Sequence, residues 1–163
     1  MKILCIHASA GAGHLKAAEA LYDGLKKHTK HDVFLVDALD YGVSFFKKMY
    51  RGGYIFMVSN IPFVWAIAFA ILDWPPLQPV IRFARRIYNS IMTRKLHQYL
   101  VDEQFDVILS THFLTNEVAS ALRRQGKIKS KIICALTDYD VHKIWLGSHV
   151  DMYAAASEWT KNK

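Results

Sequence analysis

The sequence predicts an α/β fold in which one parallel β-sheet is flanked by helices. Short apolar runs rich in β-branched residues alternate along the chain with segments whose apolar residues recur at helical spacing. The chain has 163 residues, of which 52% are hydrophobic and 21% charged, which is enough for one domain with its own core. A repeated order of strand, helix and strand implies parallel pairing through right-handed crossovers.

Five segments have the composition of buried strands. They are KILCIH from Lys2, VFLVDA from Val33, DVILST from Asp106, KIICAL from Lys131 and DMYAAA from Asp151. Helical spacing predicts one helix from His14 past Leu25 and a second over residues 114–124. Ser157 stands at the N-cap of a last helix, but only six residues follow it, too few for a stable helix. We therefore expect the sequence to be the first half of a longer protein.

A glycine turn, in the segment HASAGAGHLKAAEAL over residues 7–21, follows the first strand. It has two glycines of the dinucleotide fingerprint, but Lys16 stands where the third would be, and the Gly-Lys-Ser/Thr ending of a phosphate loop is absent. His14 lies in the first turn of the helix, where the helix dipole disfavours the imidazolium and suits a general base. A histidine that merely packs against the sheet fits its position equally well.

A second group of polar residues follows the fourth strand, in LTDYDVHKIWLGSHVD. It contains Asp138, Asp140, His142, Lys143 and His149. STHF places His112 at the end of the third strand. In a parallel sheet these residues share one edge with His14, which is the edge where α/β folds bind ligands. Metal binding is an alternative, although the spacing fits no recognised site, and the aspartates could equally be turn or cap residues.

Two of these blocks, SAGAGHLKAAEAL and TDYDVHKIWLGSHVDMYAAASEWTKNK, resemble the N-terminal domain of the diacylglycerol glycosyltransferases, with DVILSTHF as further support. This family comprises the monogalactosyldiacylglycerol synthases of plastids and the bacterial processive diacylglycerol glucosyltransferases. The resemblance, which spans residues 1–163, implies the N-terminal half of a GT-B fold, in which two Rossmann-like domains face each other across a cleft. The first domain would receive the lipid acceptor, and a C-terminal domain absent from this chain would hold most of the UDP-sugar.

The function that the resemblance implies is transfer of a hexose from a UDP-sugar to diacylglycerol in glycolipid synthesis. The fragment alone is expected to be inactive, and no cofactor is expected beyond the UDP-sugar co-substrate. His14 would be the base, with Asp138 as the alternative. The residues implied to form the loop and the acceptor side are Ser9, Gly11, Gly13, His112 and His142. Plant members carry an aspartate at the position of Ser9, so a base role for that acid has no counterpart here.

A long insert, at about residues 42–100, separates the second and third predicted strands. Its residues 52–72, GGYIFMVSNIPFVWAIAFAIL, carry no charge and approach the roughly 20 residues of a membrane-spanning helix. Asn60 and Pro62 interrupt this run, and a single crossing would put two strands of one sheet on opposite sides of the bilayer. We therefore predict a hairpin or helix that dips into one leaflet, with an internal core helix as the alternative.

Basic residues next to this apolar run indicate an anionic membrane surface as a partner, since each contributes about 1 kcal/mol near anionic lipids. The formal net charge of the chain is +7, and a single helix is predicted over residues 80–100 with a basic face. The residues predicted to contact the membrane are Trp65, Phe69, Arg82, Arg85 and Arg86. A solvated basic face on an ordinary helix is the alternative. We expect a cytoplasmic protein held peripherally on the inner face of the cell membrane.

Other partners and other functional classes fit the sequence less well. No recognised module of stacking aromatic and basic residues points to nucleic acid. Cys5 and Cys134 lie in apolar strand-like runs and are predicted to be buried thiols in a reducing compartment. The alternatives to an enzyme are a non-catalytic lipid-binding module with a Rossmann-like fold and a single-domain nucleotide-binding protein.

Overall fold

The computed structural model describes residues 1–139 and 142–162, and within them every side chain except those of residues 46, 50, 51, 54, 55, 58, 65, 68–70, 72, 73 and 82. The strands are β1 (Lys2–His7), β2 (Asp32–Asp37), β3 (Val107–Ser110), β4 (Lys131–Ala135) and β5 (Met152–Ala154). The helices are α1 (Ala12–His28), α2 (Ser44–Lys48), α3 (Tyr54–Asn60), α4 (Pro62–Asp73), α5 (Gln78–Met92), α6 (Arg94–Glu103), α7 (Phe113–Arg124) and α8 (Glu158–Lys161). Short 3-10 turns lie at Ala38–Tyr41, Pro75–Leu77 and Lys143–Trp145, and a π-helical turn at Met49–Gly53.

The strands form one parallel sheet in the order β2-β1-β3-β4-β5. Each predicted strand is present with ends within two residues of the prediction, and the predicted fold class is confirmed. The chain moves from β1 to β2 on one side and then to β3 on the other. This reversal creates a topological switch point between β1 and β3, where sheets of this order bind their ligands.

Both faces of the sheet are covered, because successive side chains of a strand point to opposite faces. Leu4 and Ile6 of β1 belong to a core that includes Leu96 of α6 and Leu114 of α7. Cys5 points the other way, into a cluster that includes side chains of α1. The predicted burial of both cysteines is confirmed, and burial raises the pKa of the Cys5 thiol to about 11 and that of the second thiol, at position 134, to about 12.

The prediction of a single helix over residues 80–100 is wrong, because the chain forms α5 and α6 with a break at Thr93. Thr93 is fully buried and has φ −115° and ψ 30°, outside the helical region. Its hydroxyl donates a hydrogen bond to the carbonyl oxygen of Asn89 at 2.6 Å, a local bond of the kind that competes with helix continuation. The break lets α6 bury Leu96 and Leu100 in the core while α5 keeps Phe83 exposed.

The apolar segment of the insert is divided at Asn60 and Pro62, as the sequence predicted. The Asn60 amide donates to the carbonyl oxygen of Phe56 at 3.0 Å, and Pro62 begins α4. No helix in the part of the chain that the structure describes is long and apolar enough to cross a membrane. On α4, Phe63 is 76% exposed and Ile67 is 46% exposed, so this helix presents apolar surface to the outside.

Candidate active site

The candidate site lies at the switch point, where the carboxyl ends of β1, β3 and β4 meet. The turn after β1 depends on Gly11, whose φ of +149° and ψ of 151° lie in a region that only glycine adopts readily. Gly13 has open space around it and no such backbone requirement. Among the residues that the structure describes, no side chain caps the start of α1, so its first N–H groups lie at this edge of the sheet without a side-chain acceptor.

The glycine turn is tied to the end of β2 by Ser9. Its backbone N–H donates to Asp37 Oδ1 at 3.2 Å, and its hydroxyl donates to Asp37 Oδ2. Asp37 Oδ1 also accepts the N–H of Leu39 at 3.0 Å. No pattern in the sequence indicates that Asp37 belongs to the site. These contacts give Ser9 a place in the loop, and its predicted contact with an acceptor stays a prediction.

His14 reaches across the switch point to the other strand ends. Its Nδ1 lies 2.9 Å from the carbonyl oxygen of Thr111 and 2.6 Å from Thr137 Oγ1. A carbonyl oxygen can only accept, so Nδ1 carries the proton, and the neutral ring has its lone pair on Nε2. The Thr111 hydroxyl in turn donates to the backbone oxygen of His14 at 2.8 Å. These contacts fix both the orientation and the tautomer of the ring.

The electrostatic surroundings keep His14 neutral. Burial lowers the pKa of the half-buried ring, and this outweighs the opposing effects of the Asp138 charge and of the hydrogen bond to Thr111. A neutral imidazole with a lone pair on Nε2 is the form that a general base requires. The expectation that the start of α1 would hold a neutral ring is thus met chiefly through burial.

His112 and His142 have the opposite tautomer, because each uses Nδ1 to cap a helical turn. His112 Nδ1 accepts the N–H of Leu114 at 3.0 Å, and His142 Nδ1 accepts the N–H of Ile144 at 3.1 Å. His112 is 1% exposed, and its ring packs edge-on against that of His14 with centroids 4.5 Å apart. Their predicted contacts with the acceptor stay predictions. Over residues 1–139 and 142–162, no three His, Cys, Asp or Glu residues are grouped to hold a metal ion.

Trp145 orients the second candidate base, Asp138. The indole is fully buried, and its Nε1 donates to Asp138 Oδ2 at 2.8 Å. Its ring centroid lies 6.1 Å from that of His14. The resemblance to the family implied a role for Asp138 but none for Trp145, although Trp145 lies in the same sequence block, three positions after His142. Asp140 lies outside the described residues.

The residues predicted to contact a membrane have different places. Arg85 forms an ion pair within the protein. Its Nε lies 2.7 Å from Glu117 Oε2, and its side chain is only 21% exposed. Arg86 is exposed on the same helix. The side chains of Trp65, Phe69 and Arg82 are not among those that the structure describes. The membrane role of all five stays a prediction.

Buried histidines predict that the protein loses stability in mild acid. Burial lowers the pKa of His7, His14, His97 and His112. Between these lowered values and the ordinary value of about 6.5, the unfolded chain binds more protons, so stability rises with pH. We expect the free energy of unfolding to have its full value above about pH 7.5 and to fall as the pH drops below about 6.5.

Urea unfolding between pH 8 and pH 5.5 measures this dependence. His112→Asn keeps an acceptor for the N–H of Leu114 and removes a buried imidazole. The free energy of unfolding of this variant should therefore change less with pH than that of the wild type. His149→Ala, at an exposed loop position, is the matched control and should keep the wild-type slope. A His112→Asn protein with an unchanged slope would contradict the explanation.

Known proteins of one family are similar in sequence to this chain. A family model described as monogalactosyldiacylglycerol (MGDG) synthase matches residues 14–163. Among the curated relatives are proteins named processive diacylglycerol beta-glucosyltransferase. The one from Staphylococcus epidermidis is 26% identical over 168 residues, covering 99% of this chain and 39% of the relative. The one from Bacillus licheniformis is 34% identical over 77 residues, covering 47% of this chain and 20% of the relative.

A third such protein, from Bacillus cereus, is 22% identical over 160 residues, covering 98% of this chain and 40% of the relative. The chain therefore spans about 40% of the length of the relatives that it matches throughout. No solved structure matches the chain. The family match begins at His14 and continues through every strand after β1, and on this ground the chain belongs to the MGDG synthase family.

Proposed function

We propose that this chain is the acceptor-binding N-terminal domain of a GT-B glycosyltransferase that transfers a hexose from a UDP-sugar to diacylglycerol. Membership of the family and the names of the relatives support the reaction class and the lipid acceptor. The share of the relatives' length that the chain covers supports a second domain, which would hold the UDP-sugar. The observation that carries the proposal is the His14 ring, neutral and with the Nε2 lone pair available at the switch point.

In the proposed reaction, His14 Nε2 takes the proton of the acceptor hydroxyl as its oxygen bonds to the anomeric carbon of the hexose. The bond between that carbon and the diphosphate breaks, and UDP leaves with the electron pair. The imidazolium that forms is stabilised by the Thr111 carbonyl oxygen at Nδ1 and by the negative charge of Asp138. The uncapped N–H groups at the start of α1 favour negative charge that develops nearby.

The test is a transfer assay with the full-length gene product, supplied with diacylglycerol in vesicles and with UDP-glucose or UDP-galactose. We expect radiolabelled hexose to appear in the lipid fraction with one donor or with both. If the protein binds the vesicles but transfers no sugar from either donor, the enzyme proposal fails and a non-catalytic lipid-binding module replaces it. If it binds a nucleotide but neither vesicles nor lipid acceptor, it is a nucleotide-binding protein.

The exposed apolar side chains of α4 and α5 support peripheral binding to a membrane. They include Phe63, Val64, Ile67 and Ile71 on α4, and Val80, Phe83, Ile87 and Ile91 on α5. Exposed basic residues lie on or next to α5, namely Arg86, Arg94 and Lys95. A patch of apolar side chains with adjacent cations matches the surface of an anionic bilayer. We place this surface on the inner face of the cell membrane, among anionic lipids.

Replacing Phe63 and Ile67 together with serine should weaken binding to vesicles of phosphatidylglycerol and diacylglycerol by at least about tenfold. The two residues are four positions apart and share one face of α4. Burying one such side chain contributes about 1.5–3 kcal/mol, and 1.4 kcal/mol corresponds to a factor of ten. Vesicle flotation measures the change, with Met152→Ser, at a residue 58% exposed on β5, as the matched control. Equal flotation of the double variant and the wild type would exclude α4 from the contact.

A further inference from the structure

Asp37 connects the end of β2 to the glycine turn that carries the candidate base. Its Oδ1 accepts the backbone N–H groups of Ser9 and Leu39, at 3.2 and 3.0 Å, and its Oδ2 accepts the Ser9 hydroxyl. Hydrogen bonds to a carboxylate are roughly twice as strong as those between neutral groups. One half-buried side chain therefore holds both the turn that follows β1 and the turn that follows β2.

The register of the sheet explains why this carboxylate meets the glycine turn. β1 and β2 pair in parallel with His7 opposite Asp37, so the two strands end side by side. Ser9 follows two residues after the end of β1, within reach of the last side chain of β2. Because successive side chains of a strand point to opposite faces, a carboxylate one position earlier would point away from Ser9.

The turn has few hydrogen bonds of its own among the residues that the structure describes. Ala10 donates its N–H to the carbonyl oxygen of Ala8 at 2.7 Å. Gly11 has φ +149°, and a glycine adopts many other backbone conformations almost as readily. Contacts from outside the turn must therefore fix its shape.

His14 is held from the opposite side of β1. Its Nδ1 lies 2.9 Å from the carbonyl oxygen of Thr111, and the Thr111 hydroxyl donates to the backbone oxygen of His14 at 2.8 Å. In the sheet, β1 lies between β2 and β3. The segment of residues 9–14 is thus attached to the end of β2 at its first residue and to the end of β3 at its last. Loss of either attachment would let the imidazole move.

The charge of Asp37 acts elsewhere than on His14. Burial lowers the pKa of His7, and the Asp37 charge opposes this effect. At His14, burial also lowers the pKa, but the opposing charge is that of Asp138. Any contribution of Asp37 to His14 should therefore pass through the geometry of the turn and should not need the negative charge itself.

We propose that Asp37 is a positioning residue, which acts through Ser9 to fix the glycine turn and so the place of His14 Nε2. This inference rests on the proposed function, because the position of Nε2 matters when it takes the proton of the acceptor hydroxyl. A displacement of about 1 Å in a reacting geometry can lower a rate about 100-fold. Substrate binding does not need the same precision, so the effect falls on kcat and not on KM.

Substitutions of Asp37 in the full-length protein separate geometry from charge and from capping. Asp37→Ala should lower kcat for sugar transfer by about 10–100-fold and change KM by less than about threefold. Asp37→Asn should retain most of the activity, because an amide oxygen accepts both N–H groups and the amide N–H donates to the Ser9 oxygen. Asp37→Ser can still cap Leu39 but is too short to hold Ser9 as well, so it should resemble Asp37→Ala. The matched control is Asp32→Ala, which removes an exposed carboxylate from the other end of β2 and should keep the wild-type kcat.

An exchange of partners tests the contact itself. Ser9→Asp places a second carboxylate against Asp37, and two adjacent carboxylates repel, so kcat should fall at least about tenfold. Ser9→Asp combined with Asp37→Asn again pairs one carboxylate with one donor. The double variant should recover kcat to within about threefold of the wild type, a coupling that two independent residues would not show.

Nitrogen NMR of the folded protein at pH 8 gives a readout that does not depend on sugar transfer. In Asp37→Ala, the His14 signals should change from those of a ring protonated on Nδ1 to those of a mixture of both tautomers. The signals of His112, which caps α7, should not change. A general loss of stability would leave the signals of both histidines unchanged in the folded molecules. Ser9→Asp should show the same change as Asp37→Ala, and it replaces that variant if the latter does not fold.

Three results would overturn the proposal. They are a wild-type kcat in Asp37→Ala, an equal loss of kcat in Asp37→Asn and Asp37→Ala, and no recovery in the double variant. If even the wild type transfers no sugar, the proposed reaction fails and the NMR signals alone decide, since unchanged His14 signals would then exclude the positioning role. If the wild type transfers sugar and the variants do so equally well, the reaction stands without a role for Asp37.

Discussion

Replacing His14 with alanine in the full-length protein should lower the rate of sugar transfer to diacylglycerol by a factor of about 10²–10⁴, the usual contribution of a general base. The expectation follows from the tautomer, because the Thr111 carbonyl oxygen holds the proton on Nδ1 and leaves Nε2 to accept a proton. A turnover assay at saturating donor concentration measures the loss. Nitrogen NMR of the wild-type protein should show His14 as a neutral ring protonated on Nδ1.

The control for this variant is another histidine from the same edge of the sheet. His149 is exposed on the loop after Lys143–Trp145, and its replacement by alanine removes an imidazole without disturbing the contacts of His14. His149→Ala should therefore retain the wild-type rate. If His14→Ala transferred sugar at an undiminished rate, Asp138 would become the candidate base. Asp138→Asn would then be expected to show the loss.

The fold could be predicted because its signal is repeated along the chain. Each strand is a short apolar run, and the parallel order follows from the helices between the runs, so all of them were located within two residues. The meeting of His14 and His112 at one edge followed from the same rule, since parallel strands end on the same side. Their rings are in contact, with centroids 4.5 Å apart.

Several features of the site had no comparable signal in the sequence. The Thr111 group that sets the tautomer of His14 is a backbone carbonyl, which every residue carries. The break between α5 and α6 falls at Thr93, within a segment whose spacing is helical throughout. The pairing of Arg85 with Glu117 joins residues 32 positions apart on different helices. Such contacts arise from the tertiary arrangement and not from local pattern.

Replacing Trp145 with alanine should have the largest effect on stability, lowering the free energy of unfolding by about 3–5 kcal/mol. The indole is 0% exposed and packs near His14, His112 and Phe113, so its removal leaves a large cavity in the site itself. Urea unfolding at pH 8 measures the change. Trp74→Ala is the matched control, because that residue is 56% exposed and its loss should cost no more than about 0.5 kcal/mol.

Trp145→Phe separates the packing of the indole from its hydrogen bond. Phenylalanine fills most of the same space but cannot donate to Asp138 Oδ2, so stability should fall by only about 1 kcal/mol. Because the bond orients Asp138, transfer should also fall if that carboxylate stabilises the imidazolium of His14, even though the fold is retained. If Trp145→Phe were as unstable as Trp145→Ala, the shape of the indole would be the main contribution. A stable variant with a wild-type transfer rate would show that the orientation of Asp138 does not matter to the reaction.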